Sequence, residues 1–257
     1  MNPSGCTPTL QNFYDSHWCG YVLRNKHVTG VLGKFTAAAT TGTKKKRAHA
    51  SQWVGLGGFG NSQLLQAGTG MDTARLHWYS LTWTHNAWWE EIQSTGNGKT
   101  SDTKMQYVFI VLPGDQMCVQ IVQLAKDSYH LTINDTRGSG QTWSKTVKFT
   151  PPDNSDSTAN VRSAEWIVEK YTILKNDKDT SSSYIFGDFK AVFTNCQYYI
   201  GHRMVRMNSG SGVLCKVTFW GDDPSPSLKD KKHVHWVTPS KPGNDNESFT
   251  VKSASYK

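Results

Sequence analysis

Short runs of β-forming residues, each closed by Gly, Pro, Asn, Asp or Ser, recur along the whole chain, and no long helical pattern separates them. Residues 18–23, 28–36, 52–56, 63–67, 75–83, 87–92, 104–112 and 116–124 read as strands, followed by 129–133, 142–149, 163–171, 184–189, 191–194, 212–220 and 249–252. Ala37-Ala38-Ala39 can open a helix, but the Thr and Gly residues after it stop one. Pro113-Gly114-Asp115 is a turn signal that makes 104–112 and 116–124 a hairpin, and residues 134–141 separate the arms of a second. Alternation in that second hairpin puts Trp143, Lys145, Val147 and Phe149 on one side. Many short strands without intervening helices predict an all-β sandwich and not an α/β fold. No repeat or linker divides the chain, so 1–257 is expected to form one domain with a turn-rich segment at about 221–246.

A chain of 257 residues can bury a substantial core. Aromatic residues make up 12%, including ten Trp, more than a core needs, so some are expected to line a binding surface. The net charge of +8 attracts anions only weakly and at long range. Its densest source, Lys44-Lys45-Lys46-Arg47, lacks interleaved aromatic residues and reads as a solvated loop, so no specific nucleic-acid partner is expected. No stretch approaches the ~20 apolar residues of a membrane span, and residues 1–9 lack the regions of a signal peptide. Five cysteines without metal-site spacing allow at most two internal disulfides. His233-Val234-His235 has no third ligand nearby, so neither metal nor cofactor is expected.

Two segments about a hundred residues apart carry the candidate chemistry: Leu64-Leu65-Gln66-Ala67-Gly68 and Ala164-Glu165-Trp166-Ile167-Val168-Glu169. A carboxylate can activate water and an amide can steady an oxyanion, a pairing that suggests peptide-bond hydrolysis without serine, cysteine or metal. On an extended strand Glu165 and Glu169 share a face but stand ~13 Å apart, too far to work as an acid and base across one bond. The ordinary reading makes both solvent-side residues of a half-exposed strand. Trp88-Trp89-Glu90-Glu91 puts one Trp and one Glu on each face, and Asp72 follows the glycine-rich 68–70 as a turn residue or an acid near the site. Trp53, Trp88 and Trp89 also suit a carbohydrate-binding sandwich, and Glu90 with Glu169 or Glu165 suits a glycosidase.

Trp53-Val54-Gly55-x-Gly57-Gly58, Leu65-Gln66-Ala67-Gly68, Ala87-Trp88-Trp89-Glu90, Pro113-Gly114-Asp115 and the 164–169 segment occur in the order seen in the glutamic peptidases, or eqolisins. Trp18-x-Gly20-Tyr21, Phe186-x-Asp188-Phe189 and Ser248-Phe249-Thr250-Val251 extend the resemblance over most of the chain. It implies a β-sandwich of two curved antiparallel sheets, a jelly roll of the concanavalin A or lectin type, that holds an extended polypeptide. It also implies an endopeptidase working in acidic conditions, secreted and monomeric. On motif matching Glu169, not Glu165, is the general base and then acid. Gln66 stabilises the oxyanion and positions water, while Trp53, Asp72, Trp88, Trp89 and Glu90 support the site or bind substrate. Gly57-Gly58 replaces the Asp that fungal members carry there, Gln93 replaces a proline, and the basic composition differs from theirs.

Overall fold

The structure, a computed structural model, describes residues 7–25, 27–40, 47–60, 63–75, 81–94, 100–102, 105–149, 162–170, 174–175, 178–179, 184–185, 187–221 and 235–253. The basic residues 44–46, the connector 151–160, Phe186, and residues 222–234 with His233 and Val234 lie outside that set.

The chain runs through β1 (Thr9–Asp15), β2 (Trp18–Arg24), β3 (Val28–Thr36), β4 (Arg47–Ala48), β5 (Ser51–Gly57), β6 (Leu64–Gly70), β7 (Asp72–Arg75) and β8 (Leu81–Thr84). It continues through β9 (Asn86–Ser94), β10 (Thr100–Asp102), β11 (Gln106–Ile110), β12 (Gln116–Ala125), β13 (Ser128–Asp135), β14 (Thr142–Lys148) and β15 (Ser163–Glu169). The short β16 (Leu174–Lys175), β17 (Lys178–Asp179) and β18 (Tyr184–Ile185) precede β19 (Phe189–Ile200), β20 (Arg203–Arg206), β21 (Val213–Gly221), β22 (His235–Val237) and β23 (Phe249–Ser253).

The larger sheet has the order β1-β21-β2-β15-β5-β6-β9-β10, with β11 also on β9 and β22 on β21. The second has the order β14-β13-β12-β3-β19-β20, with β23 on β19. Strict alternation in β13, where every second residue is buried, matches a strand with one face on the core. Tyr21, Val54, Leu65, Trp89 and Trp166 of the larger sheet meet Val31, Phe35, Ile121, Leu131 and Phe193 of the second in one apolar core. A smaller cluster of Val22, Trp53, Leu64, Trp88, Ile167, Cys215 and Val217 covers the larger sheet's other side, here the outer face.

Three expectations change. The segments around Pro113-Gly114-Asp115 are not a hairpin: β11 pairs with β9 in one sheet, β12 with β3 and β13 in the other. Asp115 N–H closes the turn onto Leu112, and reciprocal backbone bonds tie Gly114 and Asp115 to Ala37, so the turn hands the chain between sheets. A strand before residue 18 also exists: β1, mostly exposed and lacking an apolar face, runs parallel to β21, an exception to antiparallel pairing. Finally, β15 is not half-exposed. It lies between β2 and β5 and is buried on both faces along nearly its whole length.

Candidate active site

Cross-strand register arranges the outer face in rows, because directly opposed residues project to the same side. Glu165, Gly55, Gln66 and Glu90 form one row across β15, β5, β6 and β9. Ile167, Trp53, Gly68 and Trp88 form the next, and Trp18, Glu169, Ser51 and Gly70 the third. Gln66 and Glu169 therefore share a face and flank the Trp53 row. At ideal spacings their Cα atoms are two strands and four residues apart, ~16 Å.

Glu169 is gripped through both oxygens. The Trp18 indole N–H donates to Oε1 at 3.1 Å and the Trp53 indole N–H to Oε2 at 2.9 Å. The two rings meet edge to face, with centroids 5.1 Å apart and planes at 79°. Asp15 Oδ1 accepts the Trp18 backbone N–H at 2.8 Å and so fixes the start of β2. Burial pushes the Glu169 carboxyl up to about 7, opposed by the two indole donors and reinforced by the charge of Asp15.

Glycines make the room that the indoles need. A Cβ on Gly55 would stand 2.9 Å from the Trp53 ring and 3.2 Å from Glu165 Oε2. Gly58 has φ +91°, and a Cβ there would meet the Trp18 ring at 3.2 Å. The Gly57-Gly58 departure thus leaves space for the ring that holds Glu169.

Gln66 Nε2 donates to Glu90 Oε2 at 2.6 Å, while Gln66 Oε1 has no hydrogen-bond partner among the described residues. Glu165 is fully buried, with its Oε1 accepting from Ser163 Oγ at 2.9 Å and its Oε2 unpartnered among the described residues. Burial holds it well above the usual carboxylate range, partly offset by Ser163 and the Phe59 backbone N–H. It lies beside the site with no solvent access for activating water.

Trp89 lies on the other side of β9, in the inter-sheet core, stacked on Trp143 at 6.0 Å with Lys145 Nζ 4.4 Å from its ring centroid. It does not reach the outer face. Trp53 and Trp88 do, yet expose 0% and 1% of their surface, so neither offers a free ring for stacking a sugar. Glu90 and Glu165 stand at opposite ends of a four-strand row and do not pair as glycosidase acids. Asp72 belongs to β7, but its side chain lies outside the described residues. Sequence reasoning gave no holding role to Trp18, although its place opposite Glu169 follows once β2 and β15 are paired.

The model of the peptidase A4 family matches residues 16–223. The chain belongs to that family. As an A4 peptidase it is a glutamic endopeptidase of the eqolisin type, working by a Glu/Gln mechanism. Among solved structures this A4 chain is similar to scytalido-glutamic peptidase with a transition-state analog inhibitor, with 17% identity, a TM-score of 0.60, and coverage of 93% of this chain and 99% of that one. A second structure of that enzyme, with a peptide-based transition-state analog, gives 16% and 0.59 at the same coverage. SCP-B, an eqolisin in complex with the tripeptide Ala-Ile-His, gives 15% and 0.60, again over 93% and 99%. These likenesses show the shared fold. No curated protein matches the sequence.

Proposed function

We propose that Glu169 and Gln66 are the catalytic pair of this A4 peptidase. The observation that carries the assignment is the carboxyl of Glu169, fixed by Trp18 and Trp53 on the face that also bears Gln66. An extended polypeptide binds on this face, with its scissile bond reached by both groups. Ionised Glu169 takes a proton from water as the water attacks the peptide carbonyl, then returns a proton to the departing amine. Gln66 has a second amide N–H beyond the one engaged by Glu90, and it donates this to the developing oxyanion. Glu90, when ionised, can only accept, so it turns the amide nitrogen and not its oxygen toward that task.

A base whose pKa lies at about 7 is scarcely ionised in strong acid. The proposed optimum accordingly lies near pH 7 and not in strong acid, close to the pKa of the group that must both accept and donate a proton. Action outside the cell is proposed by analogy with the family. The four described cysteines, Cys19, Cys118, Cys196 and Cys215, are free thiols, so the described fold does not lean on a disulfide.

Digestion of a denatured protein between pH 2 and 8 tests the assignment. Glu169→Gln should lose at least a hundredfold, Gln66→Ala about 10²–10³-fold in kcat, and Glu165→Gln, which keeps a neutral group, should retain most activity. Comparable loss in Glu165→Gln, or normal cleavage by Glu169→Gln, would overturn it.

A further inference from the structure

Beyond Trp88, the outer face continues onto β11, which carries two large apolar side chains where solvent would ordinarily select polar ones. Tyr107 and Ile110 are each 68% exposed. In a regular strand, residues three apart lie on opposite faces. Here a β-bulge falls between Tyr107 and Phe109, so that Tyr107 is opposite Trp88 and Ile110 opposite Asn86. Trp88 and Asn86 are on the face of Gln66, whereas Val108 and Phe109 pack against the inter-sheet core. The extra residue therefore aims both exposed apolar groups onto one surface, a use that bulges have beside active sites. No residue of β11 is charged, and its polar Gln106 lies opposite Trp89, off this face.

We propose that Tyr107 and Ile110 form an apolar subsite that receives a large aliphatic or aromatic side chain of the polypeptide substrate, three to four residues from the scissile bond. The register sets that position: Tyr107 is two strands and two residues from Gln66, ~12 Å, the span of three to four extended residues. The subsite rests on the peptidase reading above and adds a preference to it. Continuity with the catalytic face identifies the occupant as substrate.

The test takes a peptide cut at one mapped bond and places Leu or Ser at each of five positions on either side. Wild type should favour Leu by about tenfold in kcat/KM at one position three or four residues from the bond, the worth of burying roughly half of a large apolar side chain. In Tyr107→Ser/Ile110→Ser the ratio at that position should fall to within about twofold, and Tyr107→Phe/Ile110→Leu should restore it. A thermal midpoint equal to that of wild type verifies folding. An unchanged ratio in the Ser variant, or no preferred position in wild type, overturns the subsite. The same labelled peptides titrated against Glu169→Gln, with and without the two Ser substitutions, read the Leu:Ser ratio as Kd without turnover. A ratio present there but no cleavage by wild type would sink the catalytic assignment and leave the subsite standing.

Discussion

A tryptophan indole has one N–H and no acceptor, so the two indoles on Glu169 can favour only its charged form. They act against burial, which favours the neutral one. Trp18→Phe keeps much of the ring contact with Trp53 but removes the 3.1 Å bond to Oε1. The carboxyl should then rise further above about 7, and the acid limb of kcat/KM should move to higher pH by up to about one unit. Activity at pH 6 would fall by as much as tenfold, with less change on the alkaline plateau. A pH–rate profile checks this, and a limb that stays put or moves down would count against the indole's electrostatic role. Glu165 shows why the neighbouring acid is different. Strand parity puts Glu165 and Glu169 on the same face, so alternation alone could not rank them. Full burial of one and indole donors on the other separate their roles, and both depend on segments distant in sequence.

The β5–β6 hairpin sets the geometry of the site. Its turn contains Gly58 at φ +91°, and its strands carry the glycines that admit the Trp53 ring. Gly58→Ala would strain the backbone by ~1–3 kcal/mol and press a methyl group on Trp18, 3.2 Å away. Calorimetry should show the lost stability. The pH profile should shift in the same direction as for Trp18→Phe, whereas a turn remote from the site would move only the first readout. The strands that build this region were legible because β-formers and turn residues alternate so regularly. Partnership was less so. A turn such as Pro113-Gly114-Asp115 announces a reversal but not whether the next strand stays in the same sheet, since that depends on the backbone bonds of Ala37. For the same reason alternation split Trp88 from Trp89 correctly, while only the second sheet, through Trp143, decides which of them faces inward. Nor could β1 be read, because its exposed, irregular sequence has no apolar face and takes its strand form from β21.

Across the whole molecule, carboxyl groups with shifted pKa values make the fold respond to pH in two opposed ways. Glu169 and Glu165 have folded pKa values raised above their unfolded ones, so the folded state keeps protons that the unfolded chain releases. Their favourable share is complete below the unfolded value and is lost as pH rises, for Glu169 up to about 7. At ~1.4 kcal/mol per unit this amounts to about 3 kcal/mol for Glu169 at most. Asp135 and Asp245 are depressed by hydrogen bonds from Ser139 and from the 247–248 backbone, and their share is lost as pH falls through the folded values. Thermal stability should therefore be greatest near pH 4–5 and decline toward pH 8, with a smaller decline in Glu169→Gln. Thermal scans across pH test the sign, and a rise in stability from pH 5 to 8 that Glu169→Gln leaves unaltered would refute it. The ionised state that catalysis requires is thus the less stable state of the fold.

The hold on Glu169 comes from both sides of its own strand: Trp18 from β2 and Trp53 from β5. Sliding β15 by two residues against either neighbour would preserve every inward and outward orientation and keep the sheet fully hydrogen-bonded. It would nevertheless carry the carboxyl away from one indole or the other. Turnover is consequently a gauge of strand alignment in this protein, able to detect a misthreaded sheet that spectroscopy would score as native.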